Sequence, residues 1–316
     1  MLRDSFLFLS RTGWAQTAIT RFPLAWQMAS RFVAGETIDA AIAVIRALNA
    51  KGLDVTLDFL GESMTNEAEA THAANEYVCA LEQIAASGVR SNVSIKLTQF
   101  GLDLDYDFCL RNVRRVAEKA RAVGTFLRVD MEGTPHTDRT LQLVRDLRQD
   151  FDNVGTVLQA YLYRAEQDLI ELAGNGTRIR LCKGAYQEPP DKAFPLKADV
   201  DANYVKLAKI LLDLAHSAAP ADDAGRVPPL AALATHDEQM ITAAKTHIAE
   251  KSIPRDRFEF QMLYGVRRDL QEQLAREGFA VRAYVPYGTH WYPYFMRRLA
   301  ERPANVWFFV SNLFKR

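Results

Sequence analysis

The chain has 316 residues, of which 48% are hydrophobic and 25% charged, a balance that excludes a fibrous or disordered protein. Its 39 basic and 39 acidic residues give a formal net charge of zero, which excludes the basic surface of a nucleic-acid binder. The cysteines Cys79, Cys109 and Cys182 have no paired spacing, so they exclude a disulfide framework and a zinc ribbon and indicate a reducing cytoplasm. No stretch reaches the roughly 18 apolar residues of a spanning helix, and the apolar run at the N-terminus is too short for a signal peptide.

The first part of the chain, residues 1–54, has a helical pattern. A capping signal opens the segment ETIDAAIAVIRALNAKG at 36–52. We expect residues 1–54 to form a helical segment packed on the bottom or the side of a second unit, residues 55–316.

Eight short runs of β-branched and apolar residues follow, of the length and composition typical of strands buried on both faces. They are 55–61, 93–99, 126–133, 154–162, 178–186, 230–236, 258–265 and 281–288. Apolar residues at helical spacing lie between them, at 66–87, 106–124, 137–150, 201–218 and 238–251, and the third of these opens with a capping residue, Thr137. Eight strand–helix units predict an α/β fold of the (β/α)8 TIM-like barrel type. An open doubly wound sheet also alternates in this way, but eight units and no G-x-G-x-x-G after the first strand favour closure. Residues 219–229 predict a surface loop.

Polar residues collect where the predicted strands end, which is where barrel enzymes place their chemistry. They are Glu62, Lys96, Asp130, Glu132, Gln159, Arg180, Lys183, Thr235, His236 and Tyr284. A charge within an apolar strand is unfavourable unless it is paired or meets a ligand, so polar ends on this many strands predict a site. Adjacent arginines usually form a solvated surface, but Arg297 and Arg298 lie just into the helix after the last strand. They could there bind one small carboxylate.

At these residues the sequence resembles the proline dehydrogenase family, specifically its single-function bacterial enzymes. The matching strings are VSIKL, VLQAYLYR, RLCKGAYQEP, LATHD, FEFQMLYG and RAYVPYGTHWYPYFMRRLAERPAN. They fall on strands two and four to eight in the right order, and DFLGE and VDME fit strands one and three.

The resemblance implies a distorted (β/α)8 barrel, with FAD held non-covalently across the strand ends and L-proline between the flavin ring and the last helix. Arg297, Arg298 and Lys96 would bind the proline carboxylate. Asp130 and Arg180 would be the catalytic pair, with Arg180 close to flavin N5. The implied product is 1-pyrroline-5-carboxylate.

The resemblance also implies further contacts. It assigns FAD contacts to Met131, Gln159, Lys183, Gly184, Ala185, Thr235 and His236. It assigns the walls of the proline pocket to Tyr186, Leu263, Tyr284 and Tyr294. Glu62 resembles the partner of Arg297 in an ion pair that would gate the site, and the bulk of Tyr284 implies rejection of 4-hydroxyproline.

Elementary chemistry agrees with these roles. Hydride loss from proline C5 sends negative charge into the flavin, which a cation such as Arg180 would stabilise. Three cations around one carboxylate would orient the substrate ring, and Gly184 would let backbone N–H groups approach the cofactor. Asp130 could instead be only the salt-bridge partner of Lys96 or Arg180. No metal is expected, because His236 shares no ligand spacing with another donor.

Three other functions compete. A Schiff-base aldolase would use Lys96 or Lys183 as its nucleophile. A folate reductase is another flavin barrel but gives no reason for two adjacent arginines, and a flavin-binding regulator would not need the whole polar set.

Partners follow from the same resemblance. Family members pass electrons to membrane quinone, so NVWFFVSNLFKR at 305–316 predicts either a peripheral membrane contact or a helix packed on the barrel. The chain shows no second catalytic domain, so oxidation of the product is expected to belong to a separate pyrroline-5-carboxylate dehydrogenase.

Overall fold

The computed structural model describes residues 23–61, 64–218, 220 and 224–301. The strands are β1 (Asp54–Phe59), β2 (Ser91–Ile95), β3 (Leu127–Val129), β4 (Val154–Gln159), β5 (Ile179–Cys182), β6 (Ala231–Ala234), β7 (Phe258–Leu263) and β8 (Val281–Tyr287). The helices are α1 (Pro23–Ala29), α2 (Ile38–Asn49), α3 (Glu67–Ser87), α4 (Tyr106–Ala122), α5 (Thr134–Arg148), α6 (Ala165–Gly174), α7 (Lys197–His216), α8 (Glu238–Lys251), α9 (Arg268–Arg276) and α10 (Trp291–Glu301).

The eight strands form a closed parallel barrel. Each strand pairs with the next in chain order, and β8 pairs with β1 to complete the circle. This confirms the (β/α)8 prediction and excludes the open sheet. The strands end earlier than predicted, so Lys96, Asp130 and Lys183 are the first residues of the loops after β2, β3 and β5. These loops meet at one end of the barrel, the C-terminal rim.

Side-chain caps fix the start of several helices. Thr37 accepts a hydrogen bond from a first-turn amide of α2, as the capping signal predicted, and Asn66 and Asp105 do the same for α3 and α4. Within the described ranges, none of these helices combines the length and the apolarity needed to cross a lipid bilayer.

Helix α5 begins earlier than predicted. Thr137 was expected to cap it, but the helix starts at Thr134, after Gly133, which provides no side-chain cap, and it has Pro135 in its first turn. The missing cap comes from a distant residue, because Glu188 accepts a hydrogen bond of 2.9 Å from the Thr134 amide and a second from its hydroxyl.

Charged side chains fill the inside of the barrel. Arg282 Nε donates to both carboxylate oxygens of Glu259, at 2.9 and 3.1 Å, and each side chain is only 1% exposed. Arg128 is also fully buried, with its guanidinium carbon 4.8 Å from the Phe126 ring centre and Nη1 donating to the Thr156 carbonyl at 2.9 Å. Buried ions require such partners. The strands are therefore apolar on their outer faces but polar towards the barrel axis.

The loop at 224–229 closes the opposite, N-terminal end of the barrel. The sequence predicted a surface connection over 219–229, but residues 225–229 are buried or half-buried, so the prediction is wrong for this part. Arg282 Nη1 donates to the Gly225 carbonyl at 3.0 Å, and Asn92 Nδ2 donates to the Arg226 carbonyl at 3.2 Å. Gly225 has φ +66°, and a Cβ there would lie 2.5 Å from the Asp54 carboxylate.

Helices α1 and α10 pack against each other at the C-terminal rim. The ring centres of Trp26 and Trp291 lie 5.3 Å apart, and Trp291 Nε1 donates to Glu36 at 2.9 Å. The Ala34 amide then donates to the carbonyl of Pro286 in β8 at 2.8 Å. Helix α2 packs outside β1 and β8, on the side of the barrel, whereas α1 lies at the rim. The division at residue 54 remains a prediction.

Candidate active site

Asp130 is the meeting point of four strands at the C-terminal rim. It accepts hydrogen bonds from Ser94 Oγ at 2.5 Å, Arg180 Nη1 at 2.7 Å and the Tyr284 hydroxyl at 2.9 Å. Lys96 Nζ lies 4.0 Å from the Oδ2 atom of Asp130. The sequence-predicted residues of strands two, three, five and eight are thus in direct contact. The salt bridges that were the alternative for Asp130 are present, and they do not compete with a catalytic role.

Lys96 is held by a carboxylate that sequence reasoning missed. Its Nζ donates to both oxygens of Asp58 at 2.8 and 3.0 Å and to the Tyr284 hydroxyl at 3.3 Å. Burial lowers the pKa of Lys96, but the charges of Asp58 and Asp130 outweigh it and raise the pKa above its usual 10.5. Lys96 therefore stays an ammonium ion, which argues against a Schiff-base nucleophile at this position.

Tyr284 lies between two cations. Its ring centre is 6.0 Å from Lys96 Nζ and 5.1 Å from the Arg180 guanidinium carbon. Burial, followed by the charges of Asp130 and Asp58, raises the pKa of Tyr284 well above its usual value. The phenol therefore stays protonated and donates to Asp130.

Arg180 is 6% exposed and uses two of its nitrogens in the barrel wall. Nε donates to Gln261 Oε1, and Nη1 donates to Asp130 and to Ser94 Oγ, the latter at 3.2 Å. Nη2 is buried and has no hydrogen-bond partner among the described residues. A buried guanidinium nitrogen without a partner is unfavourable. It therefore suits a ligand at the rim.

Lys183 also reaches the rim, where two carboxylates hold it. Its Nζ donates to Asp201 on α7 at 2.5 Å and to Asp237, after β6, at 2.7 Å. Lys197 donates to Asp201 as well. The charge of Lys183 is therefore matched within the protein. A bound anion would have to share Lys183 with these carboxylates or displace one of them.

Gln159 joins two rim loops with its amide group. Nε2 donates to the Glu132 carbonyl at 3.0 Å, and Oε1 accepts from the Ala185 amide at 3.1 Å. Glu132 is buried and accepts from the hydroxyl of Thr98 at 2.7 Å. Gln159 and Glu132 therefore brace the rim in this structure.

Gly184, with φ +138°, packs closely against an aromatic ring. A Cβ at this position would lie 2.5 Å from the Tyr161 ring. The turn after β5 is therefore narrow because it passes over an aromatic ring of the loop after β4.

The remaining predicted cofactor contacts lie after β3 and β6. Met131 and Thr235 are buried, and His236 Nε2 accepts a hydrogen bond from the Leu263 amide at 2.9 Å. Since Nε2 accepts, the neutral imidazole carries its proton on Nδ1. Leu263 ends β7 and is half-buried, as a pocket wall requires.

Helix α10 presents its arginines beside the predicted pocket wall. The guanidinium carbons of Arg297 and Arg298 lie 6.0 and 5.1 Å from the ring centre of Tyr294, which is buried. Tyr186 is 42% exposed but lies among many protein atoms. This partial loss of water and the charge of Glu132 raise its pKa to about 12, while Lys96 and Arg297 act to lower it. These charges therefore act on one phenol, so α10, β2 and the loop after β5 share the rim.

Several predicted features lie outside the described residues: residues 1–22 of the N-terminal helical segment, residues 219 and 221–223 of the predicted surface loop, the gate residue Glu62 and the segment 305–316. Among the residues that are described, no cluster of three His, Cys, Asp or Glu side chains could hold a metal ion.

Sequence reasoning also missed polar residues that lie deeper in the barrel. Asp58, Ser94 and Gln261 all contact the predicted set, yet each was read as part of an apolar strand. The signal that could have found them is alternation, since Asp54 and Asp58 lie on the same face of β1 and Gln261 lies two residues from Glu259 on β7.

Comparison with known proteins settles the family. The model of the family described as Proline dehydrogenase matches residues 41–310. This chain belongs to the proline dehydrogenase family. Proline dehydrogenase 1 of Bacillus subtilis (strain 168) is 41% identical over 100% of both chains, and Proline dehydrogenase of Deinococcus radiodurans is 44% identical over 92% of this chain and 91% of its own.

Solved structures of the family agree on the fold. Proline utilization A (PutA) from Bdellovibrio bacteriovorus, inactivated by N-propargylglycine, superposes with a TM-score of 0.78 at 27% identity. The match covers 88% of this chain but 33% of that one, so the chain spans about a third of the larger protein. The closed barrel of this proline dehydrogenase family member is thus shared with a longer relative.

Proposed function

We propose that this enzyme oxidises L-proline to 1-pyrroline-5-carboxylate by hydride transfer to a non-covalently bound FAD. The observation that carries the proposal is the buried Arg180 nitrogen Nη2 at the C-terminal rim, which has no hydrogen-bond partner among the described residues. An electron-accepting ring that gains negative charge on reduction would satisfy that donor.

The residues at the rim fit a flavin. Those that would hold it are Met131, Gln159, Lys183, Gly184, Ala185, Thr235 and His236. When bound, FAD would accept the hydride from proline C5. Gln159 and Lys183 already have protein partners, so they would act chiefly by shaping the rim.

The cations suit an amino-acid carboxylate. Lys96 keeps its proton because of Asp58, and Arg297 and Arg298 extend from α10 beside Tyr294. Guanidinium groups bind carboxylates through paired hydrogen bonds. We propose that these three cations bind the substrate carboxylate, with Tyr186, Leu263, Tyr284 and Tyr294 as walls around its ring and Glu62 as the gate.

Asp130 and Arg180 would act as the catalytic pair. Asp130 fixes Arg180 through Nη1. The guanidinium would then stabilise charge that develops next to the substrate. Because Lys96 stays protonated, it would serve as a fixed cation and not as a base.

Anaerobic titration tests the proposal. The purified protein should show a flavin absorption spectrum that bleaches when L-proline is added without oxygen. Replacing Arg297→Met together with Arg298→Met should keep the spectrum but raise the proline concentration needed by roughly a hundredfold. Arg114→Met with Arg115→Met, an adjacent pair on the outside of α4, is the matched control and should change neither.

A colourless protein would contradict the cofactor, and a yellow protein indifferent to proline would contradict the substrate. Retained proline affinity in the α10 double variant would remove the carboxylate assignment.

The electron acceptor and partners belong to the same proposal. We propose a quinone-type acceptor, peripheral membrane contact through 305–316 in an otherwise cytoplasmic protein, and a separate pyrroline-5-carboxylate dehydrogenase for the product. Flotation with liposomes, with and without residues 305–316, tests the contact, and equal flotation of both forms would rule it out.

A further inference from the structure

We infer that Gln261 is the positioning residue of Arg180 and that Gln261 is itself oriented by the buried ion pair of Glu259 and Arg282. This inference rests on the proposed function, in which Arg180 acts on the reacting groups. Gln261 lies on β7 inside the barrel and is 3% exposed. Its backbone pairs with Ala234 on one side and Arg282 on the other.

The two hydrogen bonds of Gln261 can have only one arrangement. Its Oε1 accepts from Arg180 Nε, and its Nε2 donates to Glu259 Oε1. An arginine can only donate and an ionised glutamate can only accept, so the amide cannot rotate by half a turn without losing both bonds. Gln261 therefore has a defined orientation.

The ion pair below Gln261 is itself fixed. Arg282 Nε donates to both oxygens of Glu259, and its Nη1 donates to the carbonyls of Val55 and Gly225 at 3.0 Å each. These are backbone atoms of the barrel wall and of the loop under the barrel. A continuous set of hydrogen bonds thus runs from the closed end of the barrel to Arg180.

A guanidinium group is planar, so fixing two of its nitrogens fixes the third. Asp130 and Ser94 fix Nη1 from the rim side, and Gln261 fixes Nε from the barrel side. Together they determine the position of Nη2. Without Gln261, the group would be held at one nitrogen and could turn.

An amide suits position 261 better than a carboxylate. A glutamate there would place a second negative charge beside Glu259 and a new charge against Arg180, which Asp130 already neutralises. The amide joins the two groups without adding charge.

Arginine side-chain NMR, combined with kinetics, tests the inference. In protein labelled with 15N-arginine, the Nε–H signal of Arg180 is identified by its loss in Arg180→Lys. In Gln261→Met this signal should shift and exchange faster with solvent. The kcat for proline should fall at least roughly tenfold, with KM for proline changed less than kcat.

The matched control is Asn153→Leu, which also removes a buried amide with two hydrogen bonds but lies just before β4, away from Arg180. It should leave the Arg180 signal and kcat unchanged. The double variant Gln261→Glu with Glu259→Gln exchanges the two groups, keeping the net charge and an acceptor for Arg180. It should restore the slowly exchanging signal and lower the reduction potential of the bound flavin.

Two results would overturn the inference: an unchanged Arg180 signal and kcat in Gln261→Met, or a folded double variant that fails to restore the signal. The second variant decides the matter if Gln261→Met does not fold. The signal needs no substrate, so failure of the native enzyme to react with proline would contradict the proposed function alone.

Discussion

Tyr284 combines two properties that act in different ways at the residue scale. Its ring occupies space between Lys96 and Arg180, and its hydroxyl donates to Asp130 at 2.9 Å. In the proposed pocket its bulk would limit which substrate ring fits, whereas the hydroxyl helps to hold Asp130. A single substitution to a small residue removes both properties at once, so two variants are needed to separate them.

We expect Tyr284→Ser to raise kcat/KM for 4-hydroxyproline relative to proline, because the space vacated by the ring admits the extra hydroxyl. Tyr284→Phe keeps the bulk and loses only the bond to Asp130. It should slow proline oxidation by about fivefold, the equivalent of one hydrogen bond, without improving hydroxyproline. Steady-state kinetics with both substrates measure this, and an unchanged substrate ratio in Tyr284→Ser would remove the steric role.

At the scale of elements, the position of α10 depends on α1. Trp26 of α1 packs on Trp291, and Glu36 accepts from the Trp291 indole. The arginines proposed to bind substrate lie six and seven residues further along the same helix. Because α1 packs on the first turn of α10, it helps to set where those guanidinium groups lie.

Trp26→Ala should therefore raise KM for proline, by roughly tenfold, as α10 loses its packing surface. The matched control is Phe279→Ala, which removes a half-buried aromatic that packs on Phe258 and Phe260 before β8 begins. Both variants should melt at a lower temperature, measured by circular dichroism. An equal rise of KM in both would mean that α1 only contributes general stability.

The elements themselves were predictable, but their ends and their distant partners were not. All eight strands follow from short apolar runs, and the capping pattern at Thr37 gives the start of α2. The start of α5 was misplaced because its amide is capped by Glu188, 54 residues away. Local pattern contains no information about such a contact.

The candidate site was also predictable from local pattern, but only for residues at the ends of strands. Residues at strand ends could be collected by counting strands, and Lys96, Asp130, Arg180 and Tyr284 do meet. Asp58 could not be assigned in this way, because it lies inside β1 and not at its end. Its partner Lys96 also contacts Tyr284, which reaches this position only because β8 closes against β1. Chain closure is a property of the whole sheet.

On the scale of the whole molecule, the barrel interior combines cations with anions. Among the described residues the set includes Lys96, Arg128, Arg180 and Arg282 with Asp54, Asp58, Asp130 and Glu259, and Asp54 is also paired with Arg90 at 2.7 Å. Balanced charge in a buried column limits the cost of removing ions from water, and removing one partner typically costs about 3–5 kcal/mol. The interior therefore depends on the complete set.

Stability should depend on pH through carboxylates nearer the surface. Burial raises the pKa of Asp201, but hydrogen bonds from Lys183 and Lys197 outweigh it, and Lys183 likewise lowers the pKa of Asp237. An aspartate whose pKa is lower in the folded protein than the usual 3.8 stabilises the fold at pH values above 3.8. This stabilisation is lost as the pH falls through the lowered pKa.

Lys183→Met should therefore reduce the free energy of unfolding by about 1 kcal/mol at neutral pH, allowing for solvent screening, and by less in acid. Urea unfolding of the cofactor-free protein measures this without a contribution from ligand binding. The exposed Lys209→Met on α7 is the control and should show no pH-dependent difference. A difference for Lys183→Met that stays constant into acid would contradict the ion-pair origin.

The loop beneath the barrel has a consequence for how this chain can vary. Arg282 and Asn92 bind it through the carbonyl oxygens of Gly225 and Arg226, which every amino acid possesses. A side-chain exchange that leaves the backbone of this stretch in place would thus keep both hydrogen bonds, provided that glycine stays at 225. Inserting or deleting one residue would shift both carbonyl oxygens out of reach of Arg282 and Asn92. We therefore expect this loop to tolerate substitutions far better than insertions or deletions.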